Sequence, residues 1–325
     1  MIKAQHLSRS FGPIRAVQDV SFEVQGPAVV GMLGPNGAGK TTTIRMMAGY
    51  LRPSRGSVLV HGLDVARRPL EVRRRLGYLP ESTPLYGELT VRELLRFWTR
   101  IHRVPRSRRR AAVDQAIERC GLSDVRRRIV RQLSKGYRQR VGLAAAIVHE
   151  PPIIILDEPT VGLDPSQIRD VRALIRQLGE ERTVFLSTHI LPEVEMVCDQ
   201  AIVIAAGRVR AQGALADLMA QKGSRAYRVE ADRDVEAVLA GVEGVKQVRT
   251  AGRETPWLRF DVEAESVERD LREPIARAVA RAGATARELV RQAVSLEELY
   301  IRITAEAALS SDPEDQAAGK GGKAA

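Results

Sequence analysis

The sequence predicts an α/β domain built on a largely parallel sheet, followed by a smaller α+β unit. Three observations carry that prediction. The apolar run AVVGML leads into a glycine-rich turn, Gly34 to Thr42 (GPNGAGKTT), and this leads into a helix-compatible segment, TTIRMMAGYL. Four consecutive aliphatics, Ile153 to Leu156, read as a strand buried on both faces. From Ile153 to Gly207, strand-like and helix-like patterns alternate, the order that sandwiches a parallel sheet between helices.

The segment IKAQHLSRSFGPIRAVQDVSFEV holds two short alternating runs around Phe11 and Gly12, consistent with antiparallel strands. Gly56 to Gly62 reads as a strand ending in a turn, and Leu76 to Pro80 as a short apolar strand that stops at Glu81. From about Thr90 to Leu143 the pattern is helical, which makes residues 85–150 a helical insertion in a strand-rich frame. After Asp157 and Glu158 come the helix SQIRDVRALIRQLGEE, the strand TVFLSTH, a helix and the strand AIVIAAG, so the first domain is expected to span residues 1–220. Between residues 225 and 305 the order is strand YRVEA, helix VEAVLAG, strands VKQVRTA and WLRFDV, helix VERDLREPIARAVARAG, a strand near TARELV and a closing helix SLEELYIRI. A β-α-β-β-α-β order of this kind predicts a ferredoxin-like sandwich. Residues 310–325, rich in Gly, Ala and Lys, are expected to be a disordered tail.

At 325 residues the chain has room for about two domains, and 44% hydrophobic with 28% charged residues reads as globular. No apolar run approaches the ~18 residues of a membrane span, and the N-terminus lacks the long apolar stretch of a signal peptide, so the expectation is a cytosolic protein unless a partner holds it to a membrane. Cys120 and Cys198 stand far apart without metal-type spacing and read as small buried or boundary residues. The net charge of +11 comes mostly from arginine clusters such as Arg73–Arg75, Arg106–Arg110 and Arg126–Arg128. Those clusters alternate with helix formers and carry no aromatic platforms for bases. A solvated helix face, near lipid headgroups or not, fits them better than nucleic acid, which is not expected as a partner.

The turn Gly34-Pro35-Asn36-Gly37-Ala38-Gly39 has the spacing of a phosphate cradle. Gly34, Gly37 and Gly39 open backbone angles closed to other residues, so N–H groups can turn inward, and the following helix adds its positive end. Lys40 would reach the β- and γ-phosphates, Thr41 would offer its hydroxyl to Mg²⁺, and Thr42 continues the motif. The plain alternative is a glycine-rich connection before an ordinary helix; the strand in front and the Lys-Thr pair behind weigh against it. Asp157 can hold Mg²⁺ directly or through water, and Glu158 points elsewhere and can polarise an attacking water. Two acidic caps before a turn are the plain alternative there, poor after four buried aliphatics. His189 ends a strand that would deliver it to the γ-phosphate; alone it would read as structural. Phe11 reads as core or as a flat surface for a purine ring.

Together, GPNGAGKTT, LSKGYRQR at Leu133–Arg140, IIILDEP at Ile153–Pro159, VGLD at Val161–Asp164 and STH at Ser187–His189 resemble the ATP-binding cassette ATPases, over about residues 1–220. The resemblance implies a P-loop fold with a helical and an antiparallel β subdomain, ATP and Mg²⁺ as ligands, and a head-to-tail homodimer with two ATP molecules at its interface. It implies that Ser134 and Gly136 grip the γ-phosphate held by the partner's loop, that Asp164 lies where the chain crosses between sites, and that Phe11 stacks on adenine. Two departures stand out. The signature reads LSKGY where the common form is LSGGQ, placing Lys135 at a glycine position. Glu81 occupies the place of a glutamine that contacts Mg²⁺ in the family, adding charge and losing an N–H donor. GYLPESTPLYGELTVRELLRF and SLEELYIRIT are similar to the ABC-2 exporter branch, drug-resistance and gliding-motility groups included. That implies a separate transmembrane permease, a peripheral location on the cytoplasmic face of the membrane, and a coupling groove that includes Glu81 to Leu89 and the helical insertion. A soluble ABC ATPase acting on nucleic acid or ribosomes, and an import ATPase, are the alternative readings.

Overall fold

A computed structural model describes residues 1–309 except 83, 222–224, 267–268 and 293–295; the tail expected at 310–325 lies outside the described residues. The chain divides into two compact units, Met1–Leu215 with Arg302 onward, and Ala216–Ile301, so the division falls a few residues before the one expected.

The larger unit begins with β1 (Ile2–Phe11) and β2 (Ile14–Val24), an antiparallel pair whose register sets Ile2 opposite Val24 and Phe11 opposite Ile14. Next come β3 (Ala28–Leu33), α1 (Lys40–Met47), β4 (Arg55–Val60), β5 (Leu63–Asp64), α2 (Pro69–Arg74) and β6 (Leu76–Leu79). The helical insertion follows as α3 (Val91–Ile101), α4 (Arg109–Arg119) and α5 (Lys135–Ile147). A capping box starts α3: the Glu93 N–H donates to Thr90 Oγ1 at 3.3 Å while the Thr90 N–H donates to Glu93 Oε2 at 2.9 Å. Then come β7 (Ile153–Asp157), α6 (Pro165–Glu181), β8 (Thr183–Ser187), α7 (Leu191–Val197), β9 (Gln200–Ala205) and β10 (Arg208–Ala214), and α8 (Leu215–Gln221) belongs to the smaller unit apart from Leu215.

A four-stranded sheet runs β2-β1-β4-β5 and a six-stranded sheet runs β10-β9-β3-β8-β7-β6. In the latter every pairing is parallel except β10 on β9. Its inner strands β3, β7 and β8 are buried on both faces, and the two-residue period divides them between two cores. Ile153 and Ile155 pack with Val30, Met32 and Phe185; Ile154 and Leu156 pack on the opposite side with Val29, Val184 and Leu186. Truncating any of these isoleucines to alanine would cost ~2–5 kcal/mol.

The smaller unit holds β11 (Ala226–Ala231), α9 (Glu236–Ala240), β12 (Val245–Glu254), β13 (Trp257–Ala264), α10 (Arg272–Arg281) and β14 (Ala286–Arg291), and α11 (Leu296–Leu309) spans its boundary. The sheet order β12-β13-β11-β14, antiparallel throughout, is the ferredoxin-like arrangement. Alternate residues Tyr227, Val229 and Ala231 meet Leu239, Ile275 and Val279 in one core. The α10 helix starts at Arg272, whose N–H donates to the Asp270 carboxylate at 3.0 Å; Val267 and Glu268 of the expected helix lie outside the described residues.

Candidate nucleotide-binding site

Strand order assembles the site. Because β3, β8, β7 and β6 are parallel neighbours, their carboxyl ends share one edge, the edge at which α/β sheets bind ligands. The turn 34–39 follows β3, His189 comes two residues after β8, Asp157 ends β7 with Glu158 directly after it, and Glu81 comes two residues after β6. Register aligns them in depth: Met32 and Asp157 both sit opposite Ser187 on β8.

The glycines of the turn do different jobs. Gly37 and Gly39 have φ of +81° and +100°, the left-handed region that a side chain disfavours. Gly34 has an ordinary φ; it is glycine because a Cβ there would stand 2.2 Å from the Ile204 carbonyl oxygen. The angle argument from sequence is therefore correct for two of the three. Lys40 is 7% exposed, and its Nζ donates to the carbonyls of Gly34 at 2.6 Å and Pro35 at 3.1 Å, folding the side chain back over its own loop. Burial pushes the Lys40 ammonium below its ordinary pKa, with the charges of Glu158 and Asp157 opposing. Thr41 and Thr42 lie in the first turn of α1, both half-buried.

Asp157 is 1% exposed and its Oδ1 has no hydrogen-bond partner; the Oγ of its neighbour Ser187 is likewise buried and unpartnered. Burial raises the Asp157 carboxyl above its usual range, the nearby Ser187 hydroxyl opposes, and the charges of Glu158 and Glu81 push further up. Glu158 takes a left-handed φ of +51° and donates its N–H to the Ser187 carbonyl at 3.0 Å, which turns its side chain off the strand line. Its two carboxylate oxygens each lie 3.0 Å from His189 Nδ1. A carboxylate only accepts, so that nitrogen carries the proton. Sequence reasoning quoted Ser187 only within STH and gave it no role, and it missed the buried Glu193, whose place after Pro192 reads as a first-turn acid at a helix start.

The remaining expected residues stand on other elements. Ser134 caps α5, accepting the Tyr137 N–H at 3.4 Å, and Gly136 in that first turn is buried beneath the Gln167 side chain. Lys135 lies along Gly162, so the signature segment and the turn before α6 touch within one chain. Asp164 caps α6, accepting the N–H groups of Ser166 at 3.0 Å and Gln167 at 2.9 Å. Phe11 ends β1, exposed, with the Arg9 guanidinium 4.9 Å from its ring centroid. That exposure answers the choice left open by sequence: Phe11 is not core. Cys120 is buried and Cys198 half-buried, both thiols unbridged and raised in pKa by burial, Cys120 to about 12.

A parallel sheet whose inner strand leads into G-x-x-x-x-G-K-T, with a carboxylate pair at the end of the next strand but one, is the architecture of the P-loop nucleoside triphosphatases. Residues 17–161 match the family described as ABC transporter. The chain is 42% identical over 207 residues to the ABC transporter ATP-binding protein NatA of Bacillus subtilis (strain 168), covering 63% of this chain and 84% of that protein. It is 36% identical over 301 residues to the daunorubicin resistance ATP-binding protein DrrA3 of Streptomyces coeruleorubidus, covering 91% and 93%. A solved ATP-binding subunit of an ABC transporter superposes with a TM-score of 0.64 at 32% identity, over 68% of this chain and 92% of that one. The chain belongs to the ATP-binding subunits of ABC transporters and is an ATPase of that family.

Proposed function

We propose that this chain is the ATP-hydrolysing subunit of an ABC-2 type exporter and drives an unidentified substrate through a separate membrane permease. The observation that carries the hydrolytic half is the Glu158–His189 pair, 3.0 Å apart on the edge where the glycine turn opens. ATP binds with its phosphates in the turn 34–39 and its adenine against Phe11. Lys40 then exchanges two backbone carbonyls for phosphate oxygens. Glu158 accepts a proton from the water that attacks the γ-phosphorus, and His189, holding its proton on Nδ1, keeps the carboxylate aimed.

Asp157 Oδ1 and Ser187 Oγ, buried without partners, fit a small oxygen-seeking cation. Among the described residues no three His, Cys, Asp or Glu side chains form a cage of their own, which suits an ion shared with phosphates. Thr41, Asp157 and Glu81 would hold Mg²⁺, which neutralises charge on the transferring phosphoryl group. A second copy completes the site when its Ser134 and Gly136 close over the γ-phosphate, with Asp164 at the crossing. The Gln167 side chain packs against Gly136 where a Cβ would stand, so it has to move aside for a phosphate to approach from that side.

For the permease, the larger unit offers a cavity of about 410 Å³ lined by Pro80, Pro84, Leu85, Trp98, Ile101 and His102 among others, where the coupling groove is expected. Among the described residues no helix is long and apolar enough to cross a membrane, so transport on this reading needs that partner, with this subunit peripheral on the cytoplasmic face. Glu158→Gln should lower turnover by at least ~100-fold while retaining ATP binding and trapping an ATP-bound dimer; normal turnover would remove Glu158 from its role. Salt-resistant membrane association with a co-purified membrane protein supports the exporter; co-purified RNA without membrane association overturns it.

A further inference from the structure

We propose that Glu193 is a positioning residue: it ties the loop that carries Glu158 to the loop that carries His189 and so sets their contact. The inference rests on the roles given to Glu158 and His189 above. Glu193 is 1% exposed, and a carboxylate so buried persists only where donors satisfy it. Three donors from three segments do so. Thr160 Oγ1 donates to Oε2 at 3.0 Å, Thr188 Oγ1 donates to the same oxygen at 3.1 Å, and Arg172 Nη2 on α6 donates to Oε1 at 3.3 Å.

The places of these donors point to positioning. Thr160 stands two residues after Glu158, and Thr188 directly precedes His189. Thr188 Oγ1 also accepts the Ile190 N–H at 3.1 Å, so the hydroxyl clamps the backbone on both sides of His189. Glu158, His189, Thr188, Glu193 and Thr160 thus close a ring of side-chain hydrogen bonds and short backbone steps. Inside it sits the left-handed Glu158, a conformation that persists only where surrounding contacts over-determine it. The third donor reaches α6, whose cap is Asp164, so the same carboxylate links the crossing loop to the pair.

Glutamine cannot replace it at equal size. With its single carbonyl on the two threonines its N–H₂ faces the Arg172 donor, and with the carbonyl on Arg172 both threonine hydroxyls must turn from donating to accepting. Small displacements of reacting groups lower rates steeply. The test measures kcat, KM and equilibrium ATP affinity of the full-length chain in wild type, Glu193→Gln, Thr188→Val, His189→Ala and Thr188→Val/His189→Ala. Glu193→Gln and Thr188→Val should each lower kcat on the order of tenfold and keep ATP affinity within about twofold. Thr188→Val should add nothing to His189→Ala, because both act through one contact. Should Glu193→Gln fail to fold, Thr188→Val, which removes the Glu193 and Ile190 contacts on either side of His189 and leaves Thr160 and Arg172 on Glu193, carries the same expectations. A full kcat in Thr188→Val while His189→Ala is slow overturns this proposal alone, as do losses that multiply in the double variant. Wild-type turnover in His189→Ala overturns the reading of His189 and this proposal with it.

Discussion

Asp157 holds a carboxylate in the core with one oxygen unpartnered, and its burial raises its pKa above that of an exposed aspartate. The folded state therefore binds the proton more tightly than the unfolded state, and without nucleotide the stability contributed by this group falls as pH rises from the ordinary carboxylate range through the raised value. Asp157→Asn removes that penalty. Its thermal midpoint at pH 7 in the absence of nucleotide should exceed wild type by roughly 2–4 °C, the shift ~1 kcal/mol gives in a domain this size, and the gain should vanish below about pH 4. No gain at pH 7 in a melting series would show that the carboxylate is already compensated. At this scale the phosphate turn was legible because its glycines and lysine sit in local sequence spacing. Ser187 and Glu193 were not, since burial and partners come from strands and helices far along the chain.

Helix ends decide what the neighbouring elements can do. Asp164 caps α6 with its carboxylate, and the Gln167 N–H, then the Ser166 hydroxyl, hold its pKa below the usual range. A depressed folded pKa contributes stability that is present above the ordinary carboxylate pKa and lost as pH falls through the folded value. Asp164→Ala should thus melt earlier than wild type at pH 7, with the difference shrinking in acid below about pH 4, while Asp164→Asn keeps the cap and loses the pH dependence. Thermal melts across pH 2–7 check both; a pH-independent gap between wild type and Asp164→Ala would exclude the charge as its source. The long periodic elements, α3 to α6 and the buried strands, were readable from pattern. The two-residue β5, the six-residue α2 and the edge strand β10 were not, because too few residues repeat to show a period.

For the molecule as a whole, the cavity beside α3 combines apolar lining with Arg73, Arg74 and Arg103. Within it His102 and His149 stack at 3.6 Å, both kept neutral at physiological pH by burial, with pKa values of about 4 and about 3. Ile101 lines this cavity yet is 54% exposed, so a charge there should not disturb the core. If the proposed permease docks at this cavity, Ile101→Glu should abolish membrane flotation of the subunit with it and leave the ATPase rate of the isolated subunit within about twofold. Retained flotation would move the docking surface elsewhere. Of the arginine clusters behind the +11, Arg73–Arg74 and Arg109–Arg110 stand on helices while Arg126–Arg128 lie in a turn, and the sign of the charge alone separated no partner from another.

By itself the sequence determined the chemistry available: a glycine turn with Lys40, an acidic strand end, a histidine after a strand, and a serine-glycine signature. Those are local patterns, read within a few residues of each other. Only the tertiary structure decided which of them meet. Placing β8 between β3 and β7 sets His189 against Glu158, thirty-one residues away in sequence. Packing, too, is what makes Gly34 a glycine, leaves Asp157 Oδ1 without a donor, and draws Glu193 into the loops on either side. Strand order and burial arise from contacts between distant segments, and no local spacing encodes them.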